Sequence, residues 1–206
     1  LPLAEKLGRV FTAVAGGGAA SVTVEVRGEV TASDVSVLKL AATKGLFSSI
    51  VEEQVTYVNA PHLAADRGVD VDLTAFQETV EHANLVTLRG ALPDGRTVSV
   101  SGTVVAGPGR EVSKLTEVDG FDLEIAAEGN LLFFRYVDRP GVVGTIGSIL
   151  GDAGVNIAAM QVARREVGGE ALMALTVDSP VGVDLLDKAA GAIGAGAAAT
   201  VDLRDE

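Results

Sequence analysis

The chain has 206 residues, 48% of them hydrophobic and 21% charged, enough to bury a core in one large domain or two small ones. Its 28 acidic residues against 16 basic ones give a formal net charge of -12, a surface that repels phosphate backbones and anionic lipid and so excludes nucleic acid and membrane as partners. With no Cys, no Trp and only 2 His, it has no material for disulfides, a thiolate nucleophile, Cys-ligated zinc or a His-rich metal centre, so no metal site is expected.

The first residues, from Leu1 to Phe11, read as the middle of a longer sequence, and the chain is expected to be the C-terminal piece of a larger enzyme. No basic stretch leads into an apolar one, and no run of about 18 apolar residues occurs, so neither a signal peptide nor a membrane span is expected. The missing cysteines lean toward a cytoplasmic location.

Leu3, Leu7, Val10, Phe11 and Val14 fall on one face of a helix that opens at Pro2 and stops at Gly16-Gly17-Gly18. A phosphate-binding loop follows a strand and opens a helix; here the order is reversed. Val22, Val24 and Val26 alternate with polar residues in a strand. Thr31 to Glu53 reads as helical, capped by Ser33 or Thr31 and kinked or divided at Gly45. Asn59-Ala60-Pro61 turns into a short helix, His62 to Arg67. From Val69 to Ala127 the pattern is β. Pro93-Asp94-Gly95 joins Val86–Leu92 to Arg96–Val105, and Asp119-Gly120 joins Glu111–Val118 to Phe121–Ala127.

The pattern resets near Gly129. Leu131–Val137 is a strand, Val142–Ala153 a helix ended by Gly154, and Val155–Glu166 and Glu170–Asp178 are strands about Val167-Gly168-Gly169. Asp184–Ile193 is a helix capped by Asp184 or its neighbour, and Ala197–Leu203 is the last strand. The order βαββαβ is ferredoxin-like. The predicted fold is therefore α+β: a mixed α+β domain over 1–128 and a ferredoxin-like βαββαβ domain over 129–206.

Asp138-Arg139-Pro140-Gly141 before a helix, with Gly154-Val155-Asn156-Ile157 after it, resembles the opening of an ACT domain, a small module that binds amino acids. Val24–Gly28, Thr43–Ser48, Val58–Pro61 and Ala65–Val69 resemble the intervening domain of long-form D-3-phosphoglycerate dehydrogenases, whose bacterial members end in this domain followed by ACT. The resemblance spans nearly the whole chain. It implies an NAD-dependent oxidoreductase of serine synthesis as the parent. NAD and the catalytic residues would lie in a part not represented here, because no strand–Gly-x-Gly-x-x-Gly–helix occurs. The chain alone is then a non-catalytic, ligand-sensing and oligomerising region. An L-serine dehydratase regulatory domain and a stand-alone amino-acid sensor are the alternatives. A small autonomous enzyme would need a nucleophile–base pair or paired acids, and no motif supplies one.

The loop chemistry stands beside the family name. Pro140 pre-sets φ, Gly141 admits close approach, and the helix start offers N–H groups to a carboxylate. Asp138 can take an ammonium, and Asn156, placed by this reading at the same end of the sheet, offers donor and acceptor. By resemblance, L-serine sits between ACT domains joined edge to edge, lined by Tyr136, Asp138, Arg139, Pro140, Gly141, Val142, Val143 and Asn156. The plainer readings are turn formation for Asp138 and Arg139, a local cap for Asn156, core for Tyr136, and core for Met160 and Met173. In the first domain the resemblance suggests an anionic effector. Lys114 and Lys44, with Arg89 and Arg110, are the candidate cations, against ordinary surface charge.

Overall fold

A Pro in the first turn and a left-handed Gly just past the last one delimit the first helix, α1 (Pro2–Ala15), in this computed structural model, which describes residues 1–78, 82–107 and 109–204. Leu3, Leu7, Val10 and Phe11 are buried along one side, as the spacing predicts. Gly16, at φ 73, and Gly17 return their N–H groups to Thr12 and Ala13 carbonyls, so the triple glycine is a helix stop.

In β1 (Ser21–Gly28), Val22, Val24 and Val26 are buried. The next helix is shorter than expected. A 3₁₀ turn occupies Glu29–Ala32, and α2 spans Ser36–Phe47. Neither Thr31 nor Ser33 caps it: Thr31 Oγ1 donates to the Gly28 carbonyl, while Asp34 accepts the Ser36 N–H at 2.9 Å. Gly45 does not divide α2. A Cβ there would lie 2.0 Å from the Glu5 carbonyl oxygen, and one on Gly8 would lie 2.4 Å from that of Ala42. These glycines let α1 and α2 pack backbone to backbone.

After α3 (Ala60–Asp66), β2 (Asp70–Phe76) pairs parallel with β1, from Ser21↔Asp70 to Arg27↔Phe76. Then β3 (Asn84–Ala91), β4 (Thr97–Gly107) and β5 (Arg110–Val118) run antiparallel, in the order β2-β1-β3-β4-β5. The Pro93-Asp94-Gly95 turn sets the register Ala91↔Thr97. One face lies under the helices: Gly90 meets Phe11, and Gly102 meets Leu3 and Leu7. The other face is polar. There Thr87 and Ser101 hydroxyls bond each other at 2.9 Å, and Glu117 accepts from Ser99 and Ser101 at 2.7 and 2.9 Å. Burial without a partner would cost these groups on the order of 1–3 kcal/mol each.

Asp119 (φ 51) and Gly120 (φ 77) form the expected Asp-Gly turn, and the chain divides into compact units there, Leu1–Gly120 and Phe121–Glu206. The sequence pattern predicts the boundary at 128/129. The strand in between, β6 (Phe121–Ala126), associates with the second unit: Arg165 stacks 4.7 Å from the Phe121 ring, and Gln161 Oε1 accepts the Glu124 N–H at 2.7 Å.

The rest of the second unit is β7 (Asn130–Val137), α4 (Val142–Asp152), β8 (Ile157–Arg164), β9 (Glu170–Val177), α5 (Val183–Ile193) and β10 (Ala197–Asp202), the expected βαββαβ order. The strands are arranged β10-β7-β9-β8, leaving β8 and β10 outermost. Leu132, Phe134, Ile146, Leu150, Met173, Leu175 and Ile193 fill the core between sheet and helices, each buried side chain contributing roughly 1.5–3 kcal/mol. Met160 packs against it. No side chain caps α5; its N-cap is Gly182, not Asp184.

Candidate functional site

The loop Asp138–Gly141 leaves the end of β7 and opens α4. It is pinned by the Asp138 N–H, which donates to the Gly169 carbonyl at 2.8 Å. Gly141 takes φ 92 as the N-cap of α4, and nothing crowds its Cβ position, so the glycine is required by conformation and not by packing. Thr145 closes the first turn, its N–H and hydroxyl both donating to the Gly141 carbonyl at 2.9 and 3.0 Å. The earlier N–H groups of α4 have no acceptor within the helix.

Several of the residues expected at this site are committed to the fold. Tyr136 is buried with Phe134 in the core, the plainer of its readings, and burial with the Asp138 carboxylate nearby raises its phenol above the ordinary tyrosine value. Val142 is core as well. Arg139 turns away from the loop and donates from Nη2 to the Ile193 carbonyl at 2.6 Å, a cation on the C-terminal end of α5. Asp138, Pro140, Gly141 and the exposed Val143 remain at the loop surface.

Asp138 has a partner that the sequence reading did not single out. Arg164, the last residue of β8, donates from Nη1 to Asp138 Oδ2 at 3.0 Å. Asn156 has one too. Its Nδ2 donates to Asp178 Oδ2 at 2.7 Å, and the Asp178 N–H returns to the Asn156 carbonyl at 3.1 Å.

The expectation that Asp138 and Asn156 share one end of the sheet is corrected by the register. Val137 lies opposite Glu170 and Arg164 opposite Ala171, whereas Asn130 and Ile157 both lie opposite Val177. Asn156 therefore sits at the far end, roughly 20–25 Å from Asp138 at about 3.3 Å per residue. A strand–helix–strand crossover makes β7 and β8 parallel, so the end of one cannot adjoin the start of the other. That signal was present in the βαββαβ order, and counting along β8 from Asn156 would also have found Arg164.

The candidate anion residues are not brought together. Lys44 on α2 pairs with Glu5 Oε1 at 2.9 Å and lies 5.1 Å from the Tyr57 ring. Glu5 also holds Arg9 at 3.1 Å and accepts from the Tyr57 hydroxyl at 3.3 Å. Lys114 lies opposite Thr103, one residue beyond the Gly102–Leu115 pair under the helices, and so belongs to the polar face. The sheet stands between it and Lys44. Arg89 is exposed on that polar face, and Arg110 begins β5 at its edge. Among the described residues no three His, Asp or Glu side chains group as metal ligands, and no helix is long and apolar enough to cross a membrane.

Comparison with known proteins agrees with this architecture. Residues 1–117 match the D-3-phosphoglycerate dehydrogenase intervening domain, and residues 130–193 match the ACT domain. The chain is 40% identical over 203 residues to D-3-phosphoglycerate dehydrogenase of Mycobacterium leprae, covering 98% of this chain and 38% of that protein. It is 40% identical over 204 residues to the Mycobacterium tuberculosis enzyme, with the same shares. With the enzyme of that name from Methanocaldococcus jannaschii it shares 33% identity over 186 residues, 90% of this chain and 34% of the relative. The chain thus spans little more than a third of the length of the relatives it matches.

Proposed function

The chain belongs to the D-3-phosphoglycerate dehydrogenase family through its intervening and ACT domains, and from that premise we propose that it is a regulatory region that binds L-serine between the ACT units of two copies. In this reading catalysis and NAD binding belong to another part of a longer enzyme, since the sequence contains no dinucleotide-binding glycine motif. What this chain contributes is recognition and assembly.

The observation that carries the proposal is the placement of Asp138 and Asn156 at opposite ends of a sheet whose outermost strand is β8. As the end strand of its sheet, β8 is a template for a further strand where β6 does not pack against it. Antiparallel pairing of β8 with its copy about a two-fold axis exchanges the strand ends. Asn156 of one copy then comes beside the Asp138–Arg164 pair and the start of α4 of the other, and the set divided within one chain is completed between two. The amino-acid carboxylate meets the first N–H groups of α4, and its ammonium meets the oxygen acceptors. Val143 supplies an apolar wall. Because the site exists only in the pair, ligand binding favours the paired state, with a coupling on the order of 1–3 kcal/mol.

Calorimetric titration of this chain with L-serine, D-serine, glycine and 3-phosphoglycerate tests the reading, with sedimentation measured beside it. L-serine is expected to bind best and to a species no smaller than a dimer. A folded chain that gives no heat with millimolar L-serine sinks the proposal.

A further inference from the structure

Asp178 directly follows β9, beside Asn156, and is not among the residues that the family resemblance singles out. A carboxylate can only accept hydrogen bonds, so the 2.7 Å contact fixes which end of the Asn156 amide faces it: the NH₂ group. The carbonyl Oδ1 is thereby turned to the other side. An isolated Asn can present either end to a ligand, but one held by a carboxylate presents an acceptor. The backbone bond from the Asp178 N–H to the Asn156 carbonyl fixes the start of β8 in the same register, so the side-chain pair rests on a rigid frame. Asn156 and Asp178 are both exposed, so this pairing is not required to satisfy a buried group.

Resting on the two-copy serine site proposed above, we infer that Asp178 is a positioning residue that orients Asn156 so that its Oδ1 accepts from the ammonium of an α-amino acid held by the other copy. The chemical class selected is a zwitterion, and the corresponding hydroxy acid without an ammonium is discriminated against.

The test uses the full chain and two probes, L-serine and 3-hydroxypropionate, which keeps the carboxylate and hydroxyl but lacks the ammonium. D178A is expected to weaken L-serine binding roughly tenfold, the scale of one charge-assisted hydrogen bond, while leaving 3-hydroxypropionate nearly unchanged. D178N can face either end of the Asn156 amide, no longer fixes it, and is expected to lose part of the selectivity. In an N156A background D178A is expected to add little, because Asp178 acts through Asn156. If D178A binds both probes as the unaltered chain does, or weakens both equally, the assignment is overturned. A further loss on adding D178A to N156A overturns it as well. If the unaltered chain binds no L-serine, the serine-site reading has failed and this assignment falls with it. If that chain binds and only the variants behave otherwise, this assignment alone has failed.

Discussion

Gly45 and Glu5 meet backbone to backbone: a methyl group on Gly45 would sit 2.0 Å from the Glu5 carbonyl oxygen. Helix propensity alone favours Gly45→Ala by roughly 1 kcal/mol. The clash reverses the sign, because backbone cannot yield as a side-chain tip does, and overpacking of this kind costs about 1–3 kcal/mol or more. Gly45→Ala is expected to lower the urea midpoint of the first unit. An unchanged or raised midpoint would show that α1 and α2 can separate without loss.

Lys44 is expected to matter for stability and not for anion binding. It shares Glu5 with Arg9 and Tyr57 in a partly buried cluster. Lys44→Met should cost on the order of 1 kcal/mol in thermal unfolding while leaving any phosphate or 3-phosphoglycerate affinity intact. A selective loss of anion affinity, with stability kept, would return Lys44 to the list of effector contacts.

Arg139 should behave as a brace. Its bond to the Ile193 carbonyl joins the loop before α4 to the end of α5. Arg139→Leu is expected to destabilise the second unit by about 1–2 kcal/mol, whereas Arg139→Lys, which keeps charge without the planar fork, should recover part of it. Equal stability of all three chains would refute the bracing role.

The phenol of Tyr136 titrates late. The chain has 2 Tyr, so Tyr57→Phe leaves Tyr136 as the only phenolate chromophore. Burial first, then the nearby Asp138 charge, raises its folded pKa. The unfolded chain releases this proton at about 10, so the folded state loses stability as the pH climbs past that value and keeps it below. The absorbance midpoint should therefore lie above the ordinary tyrosine value, and Asp138→Asn should bring it down. A midpoint at or below the ordinary value would place the ring in water.

Much of this fold is written in local pattern. The alternation at Val22, Val24 and Val26, the Asp-Gly turns and the apolar spacing of α4 each express short-range geometry, and each appears where the residues say. The ACT order was legible for the same reason. What escaped depended on partners distant in sequence. The parallel pairing of β2 with β1 has no local signature, because β2 is a largely exposed outer strand. The role of Gly45 depends on a carbonyl in another helix. Asn156 was assigned the right strand and the wrong end, since periodicity gives a residue its face but only chain direction gives it its end. Asp178 and Arg164 were overlooked because a charged residue at a strand terminus looks like ordinary solvated surface.

The Arg139–Ile193 bond limits how a ligand's effect can travel. A bond of this kind is worth about 1–2 kcal/mol, comparable to the whole free energy by which one site commonly influences another, about 1–3 kcal/mol. A ligand that had to tear the loop loose from α5 would have little left with which to shift an equilibrium. For the proposed serine response, the economical path leaves the bond whole: the loop, α4 and α5 would move as one block, and the message would travel as a tilt of packed helices, not as the opening of a flap.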